Sequence, residues 1–303
     1  MNMNTTPAFA QPDHGRAGPV RAPWGDLSSG TRASKARRAL YGFTMIELAV
    51  ALIIIAILLG SMLIPLSTQV ESRNIEETQR IIARARDALL GYAAAYGYFP
   101  CPASATSNGQ EARTDPPDFS AGTCHITTVG SNIYHGFLPA ATLGLTPTDA
   151  QGYLLDGFSP SNRVRYAVST QPVNSVSNPF TRINGIRNAG MANVSGAAGL
   201  IHVCNSSIGV NGSIDCGTAV TLSSNAIAVI WSVGSNQHPS AGINPPNPDE
   251  AQNPNANGGS FDRIFVSRTQ SGSGAPGGTF DDIVEWIGPA ILFNRLVQAG
   301  QLP

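Results

Sequence analysis

Lysine is almost absent from this sequence of 303 residues, and charged residues of all kinds make up only 12% of it. Lys35 is the only lysine, so everything after it lacks the ε-amine that Schiff-base catalysis and phosphate-binding P-loops require. The sequence also lacks a C-x-x-C pair, an H-E-x-x-H helix and a serine, histidine and aspartate set around a recognisable nucleophile turn. We therefore expect a protein that is not an enzyme.

Three short patterns resemble ligand sites, but structural explanations fit them better. The stretch Gly272–Gly277 matches G-x-G-x-x-G in its letters, yet Pro276 is a poor start for a phosphate-binding helix and no βαβ unit surrounds it. Cys124-His125 and His202-Val203-Cys204 could supply metal ligands, although disulfides compete for the same sulfurs. We predict a loop at the first pattern and no metal at the other two.

Positive charge is concentrated at the beginning of the chain. Residues 1–42 contain six basic and two acidic residues, whereas residues 43–303 contain 12 arginines and 17 acidic residues. A segment with excess negative charge has no general attraction for phosphate backbones. We therefore do not expect a nucleic-acid partner.

All four cysteines lie in the second part of the chain, beyond its most apolar segment. An even number of cysteines in this position is typical of a domain exported to an oxidising compartment. Four cysteines allow three pairings, and short loops favour Cys101–Cys124 and Cys204–Cys216. Free buried thiols are the alternative.

An uncharged apolar run of 19 residues extends from Leu48 to Leu66. A helix of this length crosses a hydrocarbon layer of about 30 Å. Arg32, Lys35, Arg37 and Arg38 precede the run, and positively charged flanks stay in the cytoplasm. We predict one membrane span with the following chain exported. A buried core helix and a cleaved secretory signal are the alternatives.

One carboxylate, Glu47, interrupts the apolar stretch that begins at Phe43, where a charge is costly unless it has a partner. The sequence Gly42-Phe43-Thr44-Met45-Ile46-Glu47-Leu48 resembles the processing and methylation motif of type IV prepilins and type II secretion pseudopilins. The resemblance implies that a prepilin peptidase cleaves between Gly42 and Phe43, and that Phe43 is N-methylated. It further implies that Glu47 pairs with the amino terminus of an adjoining subunit, and that Pro65 kinks the assembled helix.

Beyond the span, apolar residues recur at helical spacing from Ser67 to Tyr98, which predicts that the helix continues as an amphipathic half. The remaining chain is rich in short β-type runs between Gly, Asn, Ser and Pro loops. We predict strands at Val164–Ser169, Leu200–Cys204, Ala226–Val233, Arg263–Ser267 and Phe280–Ile287, a helix at Pro289–Ala299, and exposed loops at Gly234–Ser260 and Ser271–Thr279.

These predictions describe an α+β, pilin-like protein in which a long N-terminal helix packs on a loop-rich antiparallel β-sheet head. Its four parts are a basic leader at 1–42, a transmembrane half-helix at 43–66, an amphipathic periplasmic half-helix at 67–98 and a globular periplasmic head at 99–303. The N-terminus is expected in the cytoplasm, with the protein anchored in the inner membrane before it enters a filament.

The resemblance implies a structural subunit, a minor pilin or pseudopilin, of a type IV pilus or a type II secretion filament. Its expected partners are the prepilin peptidase, other pilin or pseudopilin subunits and the inner-membrane assembly platform. Two alternatives stay open: a binding module or adhesin that uses the filament as a stalk, and a signal-anchored periplasmic enzyme.

A pair of acidic residues near the end of the chain, Asp281 and Asp282, could bind Ca²⁺ together with Asn236, Asp249 or Glu250. Hard cations require several oxygen ligands, and loops commonly supply them. The resemblance adds weight, because some major pseudopilins bind calcium in a late loop. A solvated acidic pair at a turn is the alternative, and no other cofactor is expected.

Overall fold

The computed structural model describes residues 42–114, 119–125, 132–158, 160–212, 214–235, 248–253, 262–272, 274–276 and 278–302, without the side chains of residues 61–68. The predicted leader, except Gly42, and Asn236 therefore lie outside the described residues. The chain divides into two units, Met1–Ala56 and Ile57–Pro303.

Helices and strands alternate irregularly along the chain, as expected for an α+β protein. The helices are α1 (Met45–Tyr96), α2 (Ala140–Leu143), α3 (Gly185–Ala189), α4 (Met191–Ser195), α5 (Pro248–Gln252) and α6 (Pro289–Gln298). The strands are β1 (Ile133–Phe137), β2 (Arg165–Ser169), β3 (Ile201–Cys204), β4 (Thr221–Ala226), β5 (Ala228–Ser232), β6 (Ile264–Val266) and β7 (Ile283–Ile287).

Helix α1 covers most of the range predicted for the two half-helices, 43–66 and 67–98, since it begins at Met45 and ends at Tyr96. It ends at Tyr96 because Gly97 adopts φ +79°, a left-handed conformation that stops a helix, and the Gly97 amide donates to the Ala93 carbonyl. Within the part of the chain that the structure describes, no helix is both long enough and apolar enough to cross a membrane. The predicted span Leu48–Leu66 extends into residues 61–68, whose side chains are outside that part.

The second half of α1 packs on a four-stranded antiparallel sheet of order β1-β2-β5-β7. Ile82 and Leu89 of the helix share one core with Tyr166 and Ile230 of the sheet. The packing therefore buries the middle of the apolar face that the spacing predicted, whereas Val70 and Tyr96 at its ends are more than half exposed. At the edge of this contact, Arg86 of α1 pairs with Glu285 of β7 at 2.6 Å.

The opposite face of this sheet packs on a second, three-stranded sheet of order β4-β3-β6. Because side chains alternate along a strand, Val229 and Trp231 point away from α1, and they contact Val203 and Phe265 of the second sheet. The head thus has three layers: helices, the four-stranded sheet and the three-stranded sheet. The short helices α3 and α4 and helix α6 lie in the helical layer and share its core.

Most of the predicted head elements are present. The structure differs from the prediction mainly in how strands that are far apart in sequence pair with one another. Strands β2, β3, β5, β6 and β7 lie within their predicted ranges, and α6 ends one residue before the predicted end. Strands β1 and β4 and the short helices were not predicted. The head also contains two sheets, and β3 pairs with β6 in parallel, because partner choice and direction depend on residues far apart in sequence.

The prediction that Gly234–Ser260 is an exposed loop is wrong for residues 248–253. Residues Pro248–Gln252 form α5, and Asp249, Glu250 and Asn253 are each buried to at least 99%. The segment escaped prediction because its polar side chains suggest exposure, whereas here they bond to buried partners. By contrast, the described residues of the loop Ser271–Thr279 are half-buried or exposed, as predicted.

Candidate functional site

The predicted cleavage site lies directly before the start of α1. Gly42, Phe43 and Thr44 are exposed and not helical, and Phe43 has an exposed fraction of 78%. Thr44 caps the helix, because its Oγ1 accepts from the Glu47 amide at 3.3 Å and its carbonyl accepts from the Leu48 amide at 3.1 Å. The Gly42–Phe43 bond is therefore accessible and free of helical hydrogen bonds.

Glu47 occupies the first turn of α1, three residues after the cap. Threonine followed by glutamate at this spacing is the capping-box pattern, and a carboxylate is favoured there by the partial positive charge of the helix N-terminus. The cap thus holds Glu47 one helical turn from Phe43. Thr44 was not singled out as a site residue, although the T-x-x-E pattern in the sequence would have found it.

The first part of α1, after the cap, has an apolar surface. Every large apolar side chain from Phe43 to Leu59 has an exposed fraction of at least 50%. Exposed apolar surface on this scale costs free energy in water and is suited to contact with other apolar surfaces. Pro65 lies within α1 among the residues whose side chains are not described, so its effect on the helix stays a prediction.

A second candidate site is a cluster of three buried carboxylates. Glu250 comes from α5, and Asp281 and Asp282 directly precede β7. Their oxygens lie within 4.8 Å of one another, and the three residues are exposed by only 1%, 8% and 3%. The alternative of a solvated acidic pair is therefore wrong.

Hydrogen bonds orient each carboxylate of this acidic cluster. Ser235 donates its amide and its hydroxyl to Asp281 Oδ2 at 2.9 and 2.6 Å, and the Asp281 amide donates to Glu250 Oε1 at 3.1 Å. Asn253 Nδ2 donates to Asp282 Oδ2 at 2.7 Å. The cluster is a fixed arrangement of oxygens rather than a chance meeting of mobile side chains.

Gly234 allows the chain to pass close to Asp281. Its φ is +67°, and a Cβ placed there would lie 2.2 Å from Asp281 Oδ1. Any other residue would collide with this carboxylate and would also be strained in the left-handed region. The turn that brings Ser235 to Asp281 therefore requires glycine at this position.

Burial is the main reason that the pKa of Asp282 is raised well above its ordinary value. The carboxylates of Glu250 and Asp281 raise this pKa further, while the Asn253 hydrogen bond and the Arg165 charge oppose the effect. Arg165, at the start of β2, is half-buried, and desolvation lowers the pKa of its guanidinium to about 10. The cluster therefore places three acidic side chains in a low-dielectric interior, with the Arg165 charge acting on Asp282.

An arrangement of three convergent carboxylates can hold a hard cation such as Ca²⁺, which binds through oxygen atoms. Of the proposed ligands, the structure brings Glu250 together with Asp281 and Asp282. Asp249 is directed elsewhere, because its Oδ1 accepts from Ser206 and Ser207 and its Oδ2 lies 2.8 Å from Arg268 Nε. Sequence reasoning did not find the supporting Ser235 and Asn253, since no local pattern marks them.

The four cysteines form two disulfides with the predicted pairing. Cys101 bonds to Cys124 and Cys204 bonds to Cys216, with Cα–Cα distances of 5.5 and 5.6 Å. The first bond links the segment that follows α1 to a later loop, and the second closes the loop after β3. Both bonds stabilise parts of the chain that contain little regular structure.

Comparison with known proteins bears on the N-terminal site. Residues 37–63 match the family described as the prokaryotic N-terminal methylation motif, which is the prepilin-type cleavage and methylation motif. The match includes Gly42, Phe43 and Glu47. No curated protein and no solved structure matches the chain significantly. The motif is that of a type IV pilin-like or pseudopilin-like precursor, and it implies processing by a prepilin peptidase and assembly with other pilins.

Proposed function

We propose that this protein is a structural subunit, a minor pilin or pseudopilin, of a type IV pilus or type II secretion filament. The observation that carries the proposal is the methylation motif at residues 37–63, with its Gly42–Phe43 bond exposed ahead of a capped helix. A peptidase needs an accessible extended bond, and a filament subunit needs an apolar helix directly after it. The role is structural and requires no catalytic group of its own.

Before assembly, the protein is anchored in the inner membrane with its N-terminus in the cytoplasm and its head in the periplasm. This topology is supported by the basic residues before Gly42, the uncharged run Leu48–Leu66 and the two disulfides of the head. The inner-membrane assembly platform then extracts the helix from lipid. In the filament, the apolar side chains between Phe43 and Leu59 contact the helices of neighbouring subunits.

Cleavage creates an α-amino cation at Phe43 in an apolar environment, and N-methylation retains its charge. Glu47 of an adjoining subunit neutralises this cation, which sets the register between the two subunits. The capped first turn supports this role, because it holds the carboxylate at a fixed distance from the new N-terminus. Assembly therefore depends on Glu47, whereas export does not.

Intact-mass and N-terminal analysis of the membrane-extracted protein tests the proposal in cells with and without the prepilin peptidase. We expect a chain that starts at N-methyl-Phe43 only when the peptidase is present. Gly42→Leu should abolish cleavage, because a large side chain hinders the approach of the protease. Gly60→Leu is the matched control, since a Cβ at Gly60 would meet no atom within 4 Å and this position lies away from the bond. An uncut chain, or a cut beyond Gly60, would overturn the proposal.

A further inference from the structure

Asparagine followed by glycine is a pair that can react within its own chain, and the sequence contains four such pairs. They lie at residues 108–109, 184–185, 211–212 and 257–258. Because glycine has no side chain to shield its amide nitrogen, this nitrogen can approach the carbonyl carbon of the asparagine side chain. The last pair is outside the described residues, and the fold treats the other three differently.

The pair Asn184-Gly185 is restrained by the turn that leads into α3. The Gly185 amide, which would be the attacking group, donates to the Arg182 carbonyl at 3.0 Å. Gly185 is also buried, and a Cβ placed on it would collide with the Pro179 carbonyl oxygen. The turn therefore has little space to rearrange, and it holds this nitrogen away from the asparagine side chain.

The pair Asn108-Gly109 is restrained by close packing. Gly109 is buried, and a Cβ placed on it would collide with the Gly152 carbonyl oxygen. The Gly109 carbonyl also accepts from the Ala141 amide at 2.9 Å. A main chain that is packed and hydrogen-bonded in this way resists the change of shape that ring closure requires.

The pair Asn211-Gly212 lies in an open part of the fold. Both residues are exposed, and a Cβ placed on Gly212 would meet no atom within 4 Å. In the described part of the chain, no hydrogen bond engages the Gly212 amide or the Asn211 side chain. The two groups that would react are therefore free to approach each other.

We infer that the fold makes Asn211, rather than Asn108 or Asn184, a site of spontaneous deamidation. Hydroxide removes the proton of the Gly212 amide, and the nitrogen attacks Asn211 Cγ. The N–Cγ bond forms, the Cγ–Nδ2 bond breaks, and the side-chain nitrogen takes up a proton and leaves as ammonia. Water then opens the succinimide ring at either of its carbonyl carbons, which gives aspartate or isoaspartate. Neither step needs an oxidant or a reductant.

The modification changes the charge and the shape of the turn from Asn211 to Asp215. Both products add a negative charge close to Asp215. The isoaspartate also lengthens the main chain by a methylene and converts the Asn211 carbonyl, which accepts from the Ile214 amide at 3.1 Å, into a free carboxylate. The turn must then adopt a new shape, while the Cys204–Cys216 bond keeps its end attached to β3.

Peptide mapping by mass spectrometry tests the inference on the detergent-solubilised full-length chain, incubated for increasing times at neutral and mildly alkaline pH. Asn211 should be lost at least about tenfold faster than Asn184, because Gly185 must first break its hydrogen bond and leave its buried position. The rate at Asn211 should rise with pH, since the attacking nitrogen must lose a proton. Asn211→Gln should remove the reaction at this position, because its longer side chain would have to close a larger ring.

The reduced and denatured chain is the matched control. Without the fold, Asn184 and Asn211 each precede a flexible glycine and should react at similar rates. Equal rates at these two residues in the folded chain would overturn the inference, and so would a preference for Asn211 that persists unchanged after denaturation. The test applies to the processed and the unprocessed chain alike, so its outcome is independent of the proposed function.

Discussion

Asn253 hydrogen-bonds to the main chain of Val266 through both ends of its side-chain amide. Its Oδ1 accepts from the Val266 amide at 2.8 Å, and its Nδ2 donates to the Val266 carbonyl at 3.0 Å. The side chain therefore occupies the place that a neighbouring strand would take beside β6. The same Nδ2 donates to Asp282, so Asn253 links the edge of the second sheet to the acidic cluster.

Asn253→Ala should destabilise the head by about 2–4 kcal/mol, because it leaves two buried main-chain groups and Asp282 without these partners. Denaturant unfolding of the detergent-solubilised full-length chain measures the change. Asn205→Ala is a suitable comparison, since Asn205 also bonds to a main-chain amide, that of Val220, but at an exposed site. A smaller loss from Asn253→Ala than from Asn205→Ala would contradict this assignment.

Asp282→Asn should stabilise the cation-free protein at neutral pH. The pKa of Asp282 in the folded state is raised above its ordinary value of 3.8, so the folded protein holds this proton more tightly than the unfolded chain does. Stability is therefore lost as pH rises above about 4, until the folded-state pKa is passed. Denaturant unfolding in EDTA at several pH values should show this fall for the unmodified chain and a reduced fall for Asp282→Asn.

Asp149 provides a control, because its pKa is shifted in the opposite direction to that of Asp282. Partial burial acts to raise its pKa, but hydrogen bonds from the Tyr153 and Gln151 amides and from Arg163 lower it overall. This carboxylate adds stability above its ordinary pKa of 3.8, and the stability is lost as pH falls. Asp149→Asn should therefore destabilise the protein at neutral pH and have little effect in acid. The same sign of change for both variants would contradict the electrostatic explanation.

Ca²⁺ should raise the unfolding temperature of the purified chain, and EDTA should reverse the rise. A ligand present at a hundredfold excess over its dissociation constant stabilises the folded state by about 2.7 kcal/mol. Mg²⁺ should act more weakly, because it gives up its water shell reluctantly. Asp282→Asn should remove the response to Ca²⁺ and Asp149→Asn should retain it. Equal unfolding temperatures with and without Ca²⁺ would exclude a cation at this cluster.

Each disulfide should contribute about 3 kcal/mol to the stability of the head, as expected for loops of these lengths. The paired cysteines are 23 and 12 residues apart in sequence. Because the entropy lost by the unfolded chain grows with loop length, the Cys101–Cys124 bond should stabilise the head by about 0.5 kcal/mol more than the Cys204–Cys216 bond does. Double alanine variants of each pair, compared by denaturant unfolding, measure both values. A loss below about 1 kcal/mol for either pair would show that the bond adds little to the folded head.

Glu47→Gln should leave export and cleavage intact and reduce incorporation into filaments. The amide keeps the size of the side chain but cannot neutralise the amino terminus of a neighbour. Quantification of the processed protein in membrane and sheared-filament fractions measures the effect. Glu71→Gln, an exposed acid further along α1, is the control and should behave like the unmodified chain. Normal incorporation of Glu47→Gln would rule out the assembly role.

Local patterns in the sequence were sufficient for several parts of this protein. The Gly42–Glu47 motif is contiguous, and the cysteine pairs close short loops, so their recognition needed no knowledge of the fold. Helix α6 was predicted closely because Pro289 favours the first turn of a helix and the apolar spacing follows it. Such features depend on residues that are neighbours along the chain.

The way in which distant segments combine could not be predicted from local patterns and depends on the folded arrangement. Asp249 and Glu250 are adjacent in sequence, but the phase of the short helix α5 directs Glu250 to Asp281 and Asp282, and Asp249 to Ser207 and Arg268. Likewise, the division of the strands into two sheets depends on which strand edges meet when the chain folds. The sequence determines which groups are available, while their partners are selected by packing, because burying a polar group is favourable only where the fold supplies a matching one.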